Sequence, residues 1–423
     1  MNNTIYQKRQ TCAICGNRER DTILDYGPVP AAGSFPLKDA LEDEPKYHLG
    51  LEFCDTCGLV QTNSILDADY LFKDYRYMSS VGLSQHFSDL ASSLVEDFSL
   101  DGTSSVVEIG SNDGVLQVPF QKLGVSVVGV EPAENIAQVA KSKGMQVIND
   151  YFNYETSLRY FEANCVDIVI ANNCFAHIHD ICAVVKGIQR IMKESGTFVM
   201  EVHYVKALIE ELQYDNIYHE HLYYYSLHAL ENLFKQYGMT IVDCCEIAVH
   251  SGSIRVYVQN QKCTATHRRR ARTPRLMSLL GAERALNIKN GLFYKNFASS
   301  VKKHCNLIKE GLDDIKRSGA RIVGYGASGR GNMACSIWNL NSDVIEYIVD
   351  ESPERAGRYT GGTNIPIVSK EVLDNDNPDY VLVFAWNFIN MIANKLKGRE
   401  FKLLHAFPTF GEYDPEKFKL NTL

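Results

Sequence analysis

From Ser104 onward the chain alternates short apolar runs with stretches whose apolar spacing is helical. The runs SVVEIG, SVVGVEP, VDIVIANN and GTFVMEV come first, and TIVDCCEIAV with SIRVYVQ read as two further strands closing the same unit. Strands that alternate with helices imply a parallel, doubly wound sheet. The stretch QKCTATHRRRARTPRL is polar, basic and without pattern, and marks a boundary. A long helix is expected over residues 281–318. A second alternating series follows it: RIVGYGA, VIEYIVD, IPIVS, YVLVFAW and KLLHAFP. Ahead of both series, residues 1–69 are rich in turn formers and poor in helical periodicity, and the patch YLFKDYRYMSS leads into a helical stretch, QHFSDLASSLVEDFSL. The reading is therefore α/β: a small N-terminal module (1–69), a central Rossmann-like domain (70–262) and a second parallel-sheet domain (263–423).

Composition narrows the class. A chain of 423 residues with 45% hydrophobic content is too long for one ordinary core. A net charge of −8 argues against a protein that mainly grips phosphate backbones. The run HRRRAR at 267–272 then reads as a solvated linker. No apolar N-terminal segment and no long uncharged apolar run is present, so the expectation is a cytoplasmic protein acting on small molecules, with no nucleic-acid or membrane partner, as a monomer or small homo-oligomer.

Cysteine spacing changes the picture of the first module. Cys12, Cys15, Cys54 and Cys57 form two Cys-x-x-Cys pairs, each followed by glycine. Two such knuckles present four thiolates tetrahedrally to zinc, and four sulfur ligands leave no open position, so the metal is expected to be structural.

Two glycine turns carry candidate ligand chemistry. In VVEIGSNDGVLQ a strand runs into a turn that opens a helix, with Glu108, Gly110, Asn112, Asp113 and Gly114 in it, and one βα unit later the next strand ends in Glu131 and Pro132. A small turn lets an adenosyl group approach the backbone, and an acid at the end of the second strand can bind ribose hydroxyls. The spacing does not fit Gly-x-Gly-x-x-Gly, which argues against a pyrophosphate-bearing cofactor there. Gly324, Gly326 and Gly329 do have that spacing, and the next strand ends in Asp350. That pattern supports a rival reading, an NAD-dependent oxidoreductase. A glycine turn at a helix N-terminus serves any phosphate ligand, however, and Arg330, Arg355 and Arg358 suit a nucleoside diphosphate equally well.

The segment DNIYHEHLYYYS (215–226) holds two histidines, two acids and four tyrosines. It follows a parallel strand at the carboxyl edge, where doubly wound folds bind ligands. A histidine there can titrate near neutrality and serve as a base.

In order, the four-cysteine module, DYRYMSS, VVEIGSNDG, NNCFAHIHD, EVHY, YHEHLYYYS, HSGSIRVYV and GYGASGRGN with its following YIVD and GRYTGGTNIPI resemble the NDP-sugar C-methyltransferases of deoxysugar biosynthesis, over essentially the whole chain. The resemblance implies a zinc module, a domain holding S-adenosylmethionine and a C-terminal domain that helps hold the nucleotide sugar, so that the second glycine turn binds no NAD. It implies methylation at carbon 3 of a nucleoside-diphosphate 4-keto-6-deoxy sugar. His221 matches the base, beside Glu220 and Tyr218. His177 matches the histidine of the Ala-His-Ile segment. Tyr75 and Tyr77 both fit a Tyr-x-Tyr-x-Ser-Ser pattern, with Tyr75 given the catalytic place and Tyr77 a substrate contact. The cofactor set is Glu108, Gly110, Asn112, Asp113, Gly114, Glu131, Pro132, Asn172 and Asn173. The sugar-nucleotide set is Tyr77, Ser253, Arg255, Gly326, Ser328, Arg330, Gly331, Asp350 and Arg358. Where the family often carries Ala-Pro-Ala-Lys-Gly, this chain has ASGRG, which keeps a cation in the turn.

Overall fold

A computed structural model describes residues 5–73, 78–261 and 270–418. Tyr75 and Tyr77 lie outside the described residues. Five short strands build the first module: β1 (Tyr6–Lys8), β2 (Asp21–Val29), β3 (Tyr47–Phe53), β4 (Val60–Thr62) and β5 (Ser64–Leu66). The central domain contributes β6 (Ser105–Ile109), β7 (Ser126–Val130), β8 (Val147–Ile148), β9 (Val166–Asn172), β10 (Met192–His203), β11 (Tyr223–Tyr224), β12 (Met239–Ile247) and β13 (Ser253–Asn260). The last domain holds β14 (Ile322–Tyr325), β15 (Ile348–Val349), β16 (Ile367–Val368), β17 (Tyr380–Val383), β18 (Lys402–His405) and β19 (Gly411–Glu412).

The central sheet runs β12-β13-β10-β9-β6-β7-β8, with β13 antiparallel to both its neighbours. Every residue of β9 is buried, as expected for a parallel strand covered by helices on both faces. The C-terminal sheet runs β16-β15-β14-β17-β18-β19 and is parallel except for its last strand. Each sheet reverses its strand order once, between β6 and β9 in one and between β14 and β17 in the other, and such switch points open crevices at the carboxyl edge.

Two sequence expectations differ from the structure. The helix expected over 281–318 is two, Pro274–Ala285 and Gly291–Arg317. Asn287 in the break adopts φ 58°, and the Asn290 side chain caps the second helix through Leu292 N at 2.8 Å. Two arginines of the basic run, Arg270 and Arg272, are also engaged with the protein instead of being solvated. Arg270 lies 4.1 Å over the Phe98 ring and Arg272 pairs with Glu231 at 2.6 Å.

The segment 215–226 joins all three parts. β11 extends the sheet β11-β4-β3-β2 of the N-terminal module, pairing Tyr223 with Gln61 and Tyr224 with Val60, while Tyr225 bridges to Tyr204 beyond β10. Successive side chains of a strand point to opposite faces. Tyr223 and Tyr225 accordingly enter the core shared by the zinc module and the central sheet, and Tyr224 enters the core that continues into the C-terminal domain.

Candidate active site

The cysteine knuckles are paired turns. Gly16 N donates to Cys12 O at 2.9 Å and Gly58 N to Cys54 O at 2.8 Å, each glycine at positive φ. The turns bring Cys12 Sγ to 3.4 Å from Cys57 Sγ and Cys15 Sγ to 3.5 Å from Cys54 Sγ, with all four sulfurs within 4.8 Å of one another. Four thiolates about 2.3 Å from one zinc stand at separations of this size, and the set has no place for a water ligand.

The first glycine turn continues from β6. Gly110 sits at φ 67°, and a Cβ there would lie 2.8 Å from that of Cys174, so only glycine fits. Glu131, at the end of β7, accepts Asn112 N at 2.8 Å and Ala133 N at 2.9 Å, which holds its carboxylate rigidly toward the crevice. Asn172, at the end of β9, has both side-chain amide atoms buried and without a partner, and Asn173 has its amide nitrogen so. Buried orphan amides are costly unless a ligand satisfies them. This donor and acceptor set suits the adenosyl and amino-acid ends of S-adenosylmethionine, and it offers no cation to a phosphate.

Other members of the expected cofactor set support the turn from behind. Asp113 is paired with Lys143 at 3.0 Å. Gly114, at φ 78°, packs against Met145. Glu108 is 4% exposed, and burial, with the charges of Glu131 and Asp113 nearby, pushes its carboxyl well above the usual range.

A single cavity of about 820 Å³ joins the two crevices. Gly110, Asn112, Glu131, Pro132, Asn172 and Asn173 line it from the central sheet, and Ser328, Gly329, Arg330 and Arg355 from the C-terminal domain. His177, Tyr218, Glu220 and His221 stand between them, with Ser253 also on the wall.

His221 donates Nδ1–H to Asn216 O at 2.9 Å. A carbonyl only accepts, so this bond places the proton on Nδ1 and leaves a lone pair on Nε2. Tyr218 packs against the ring at 4.0 Å and His177 meets it edge-on at 5.0 Å. Burial, reinforced by His177, keeps His221 well below 6.5 and therefore neutral at pH 7. The expected orienting partner, Glu220, makes no hydrogen bond among the described residues, and the Asn216 carbonyl holds that place. Burial alone pushes the Glu220 carboxyl up to about 7.

Several expected sugar-nucleotide residues are engaged elsewhere. Arg255 binds Glu201 at 2.7 Å across β10 and β13, away from the cavity wall. Arg358 donates to the carbonyls of Glu354 and Phe35, tying the C-terminal domain to the first module. Asp350 accepts Ser352 N at 2.9 Å and faces Arg355 at 3.3 Å. Gly326 and Gly331 shape the turn: Gly326 is at φ 94° against Ala385, and Gly331 N donates to the capping Ser328 Oγ at 3.1 Å. Arg330 reaches the cavity while forming a fork with Asp215.

The cavity also contains His203, His250 and His179, which the motif reading did not single out as site residues. His203 ends β10, and both its ring nitrogens are buried without partners. Burial holds it down at about 3, and His250 at about 4. The available signal was positional: EVHY ends a parallel strand at the carboxyl edge, the same place as Asn172.

The chain matches three families in succession: a zinc binding domain over residues 12–72, a methyltransferase domain over 83–243 and a C-methyltransferase C-terminal domain over 248–404. It is 32% identical to the C-methyltransferase NovU of Streptomyces niveus over 390 residues, 91% of this chain and 92% of that protein. It is 29% identical over 97 residues to a ubiquinone biosynthesis O-methyltransferase of Rhodopseudomonas palustris, 22% of this chain and 38% of that protein. Among solved structures, the magnesium protoporphyrin IX methyltransferase of Synechocystis PCC 6803 with bound S-adenosylmethionine aligns with a TM-score of 0.33 at 14% identity, covering 46% of this chain and 88% of that one.

Proposed function

Because this chain belongs to the S-adenosylmethionine-dependent C-methyltransferases built on a zinc module, we propose that it methylates carbon 3 of a nucleoside-diphosphate 4-keto-6-deoxy sugar through an enolate. One observation carries this reading: the carboxyl edges of both parallel sheets open into one cavity, with a neutral histidine bearing a free Nε2 lone pair between them. The second glycine turn then serves the sugar nucleotide, and the oxidoreductase reading has no use for the first turn or the histidine segment.

Bound S-adenosylmethionine supplies an electrophilic methyl group, and the residues of this chain make the acceptor carbon nucleophilic. His221 Nε2 takes the proton from carbon 3, which the adjacent ketone acidifies. General base catalysis of this kind contributes about a hundred- to ten-thousandfold. Negative charge grows on the ketone oxygen, and the Tyr218 hydroxyl or His177 can donate to it. Burial holds His177 at about 4, so it donates as a neutral imidazole. One preorganised donor of this kind contributes about 3 to 4 kcal/mol. Ser328, Gly329 and Arg330 present a capped helix N-terminus toward the diphosphate, with Arg355 as a second cation. The walls from both sheets would hold the cofactor and the sugar nucleotide facing one another in one cavity, and positioning of this kind lowers the barrier.

Incubation with S-adenosylmethionine and dTDP-, GDP- and CDP-4-keto-6-deoxy sugars should add one methylene to the mass of at least one of them. In solvent deuterium the carbon 3 proton should exchange without the methyl donor. His221→Asn should lower both rates by about a hundred- to ten-thousandfold with S-adenosylmethionine binding intact. Near-normal turnover in that variant would remove His221 from the base role.

A further inference from the structure

The carbonyl that orients His221 belongs to Asn216, and the residue before it is held by the other domain. Asp215 is 1% exposed. Its Oδ2 accepts Arg330 Nε at 2.9 Å and Trp386 Nε1 at 2.9 Å, and its Oδ1 accepts Arg330 Nη2 at 2.8 Å. The Arg330 guanidinium also lies 4.8 Å over the Trp386 ring, so the fork is held by the indole as well as by the carboxylate. All three donors come from the C-terminal domain: Arg330 from the glycine turn after β14, Trp386 from the turn after β17.

The short turn Tyr214–Asn216 has no long helix to stiffen it. Its placement comes from outside. Besides the Asp215 contacts, Trp338 Nε1 donates to Tyr214 Oη at 2.8 Å. One peptide further on, Asn216 O receives His221 Nδ1 at 2.9 Å and Tyr224 Oη at 3.0 Å. A bidentate charged contact is among the stronger and more directional ones available to a side chain. If it is lost, the Asn216 peptide keeps the Tyr224 hydroxyl and the turn's own backbone bonds but not its anchor to the C-terminal domain, and a small rotation of its carbonyl lets His221 carry its proton on Nε2, where it donates instead of accepting.

We propose that Asp215 is a positioning residue that couples the sugar-nucleotide turn of the C-terminal domain to the tautomer and placement of His221. The inference rests on the enolate reading for its kinetic consequence only. The C-terminal domain then does more than bind the nucleotide: it holds the base in its working form from a distance, through Arg330, Asp215 and the Asn216 carbonyl. A ligand that draws Arg330 toward its phosphates acts on the same fork.

Three measurements on the full-length protein test this. In the ¹⁵N spectrum of histidine-labelled protein, His221, assigned by its loss in His221→Asn, should show the Nδ1–H tautomer. In Asp215→Asn that signal should shift toward a mixture of tautomers. With whichever of dTDP-, GDP- or CDP-4-keto-6-deoxyglucose the wild type accepts best, carbon 3 exchange and kcat should fall together by about a hundredfold, the cost of a misplaced catalytic group, with S-adenosylmethionine affinity unchanged. Trp386→Phe removes only one donor and keeps a ring in the core, so it should show the same change in smaller measure and serves if Asp215→Asn does not fold. Unchanged His221 signals in a folded variant would overturn the proposal. A rise in sugar-nucleotide KM at constant kcat would do so too, since Asp215 would then serve Arg330 alone. If the wild type exchanges no proton but the tautomer shift appears, the enolate reading fails and the positioning role stands.

Discussion

Asn216 illustrates how one main-chain oxygen can settle the chemistry of a side chain five residues away. With its proton fixed on Nδ1 and its conjugate acid held low by burial, His221 remains an unprotonated base throughout the neutral range. It cannot then be the group that gives activity an acid limb near pH 7. Glu220, raised to about 7 by burial, can. Its carboxyl is neutral below that pH and becomes a carboxylate above it, the form that would offset an imidazolium on His221, the proposed base. The expected profile of kcat/KM for the sugar nucleotide rises with pH through about 7, and Glu220→Gln should remove that limb. A limb that persists unchanged in Glu220→Gln would assign it to another group.

At the scale of elements, the zinc knuckles and the segment 215–226 are one construction. The second knuckle ends at Cys57, β4 begins at Val60, and β4 pairs with β11, which follows His221 by two residues. Loosening the knuckles therefore loosens the strand that carries Tyr223 and Tyr224 along the cavity wall. Stripping the zinc with a chelator, or Cys54→Ser, should lower the melting temperature and abolish methyl transfer together. S-adenosylmethionine binding, for which the turns after β6, β7 and β9 are the proposed site, should weaken less. Calorimetric titration with the cofactor distinguishes the two effects, and return of activity on adding zinc confirms that the loss was structural. The break between the helices Pro274–Ala285 and Gly291–Arg317 belongs to this scale too. It lies inside the span 281–318 expected as one helix, and the left-handed Asn287 and the capping Asn290 mark where the axis turns.

At the scale of the molecule, the cavity concentrates histidines that burial keeps neutral: His177 at about 4, His203 at about 3 and His250 at about 4, with His219 at about 4 behind them. In the unfolded chain each would bind a proton near 6.5. Between pH 6.5 and 4 the unfolded state thus holds more protons than the folded one, and stability falls as pH falls. The melting temperature of the cofactor-free protein should decline over that window, and more shallowly in His203→Asn, whose ring nitrogens give up no protein partner. An equal slope in the variant would mean that His203 is not buried neutral.

Local pattern alone was enough for a good deal of this protein. The alternation of apolar runs, the Cys-x-x-Cys-Gly pairs and the acid ending β7 each depend on residues close in sequence, and strand periodicity, metal spacing and turn chemistry act over the same short range. The two parallel sheets, the sulfur cluster and Glu131 at the crevice were legible for that reason. Tertiary structure decided what long-range packing decides. It chose which arginines face the cavity, spending Arg255 on Glu201 and Arg358 on main-chain carbonyls while leaving Arg355 on the wall. It replaced Glu220 by the Asn216 carbonyl as the partner of His221, and it assembled His177, His203 and His250 from separate strand ends and turns. It joined Asp215 to Arg330 across 115 positions. A sequence shows that a residue can donate, accept or carry charge, but which partner it meets depends on elements that approach only when the sheets and the zinc module pack.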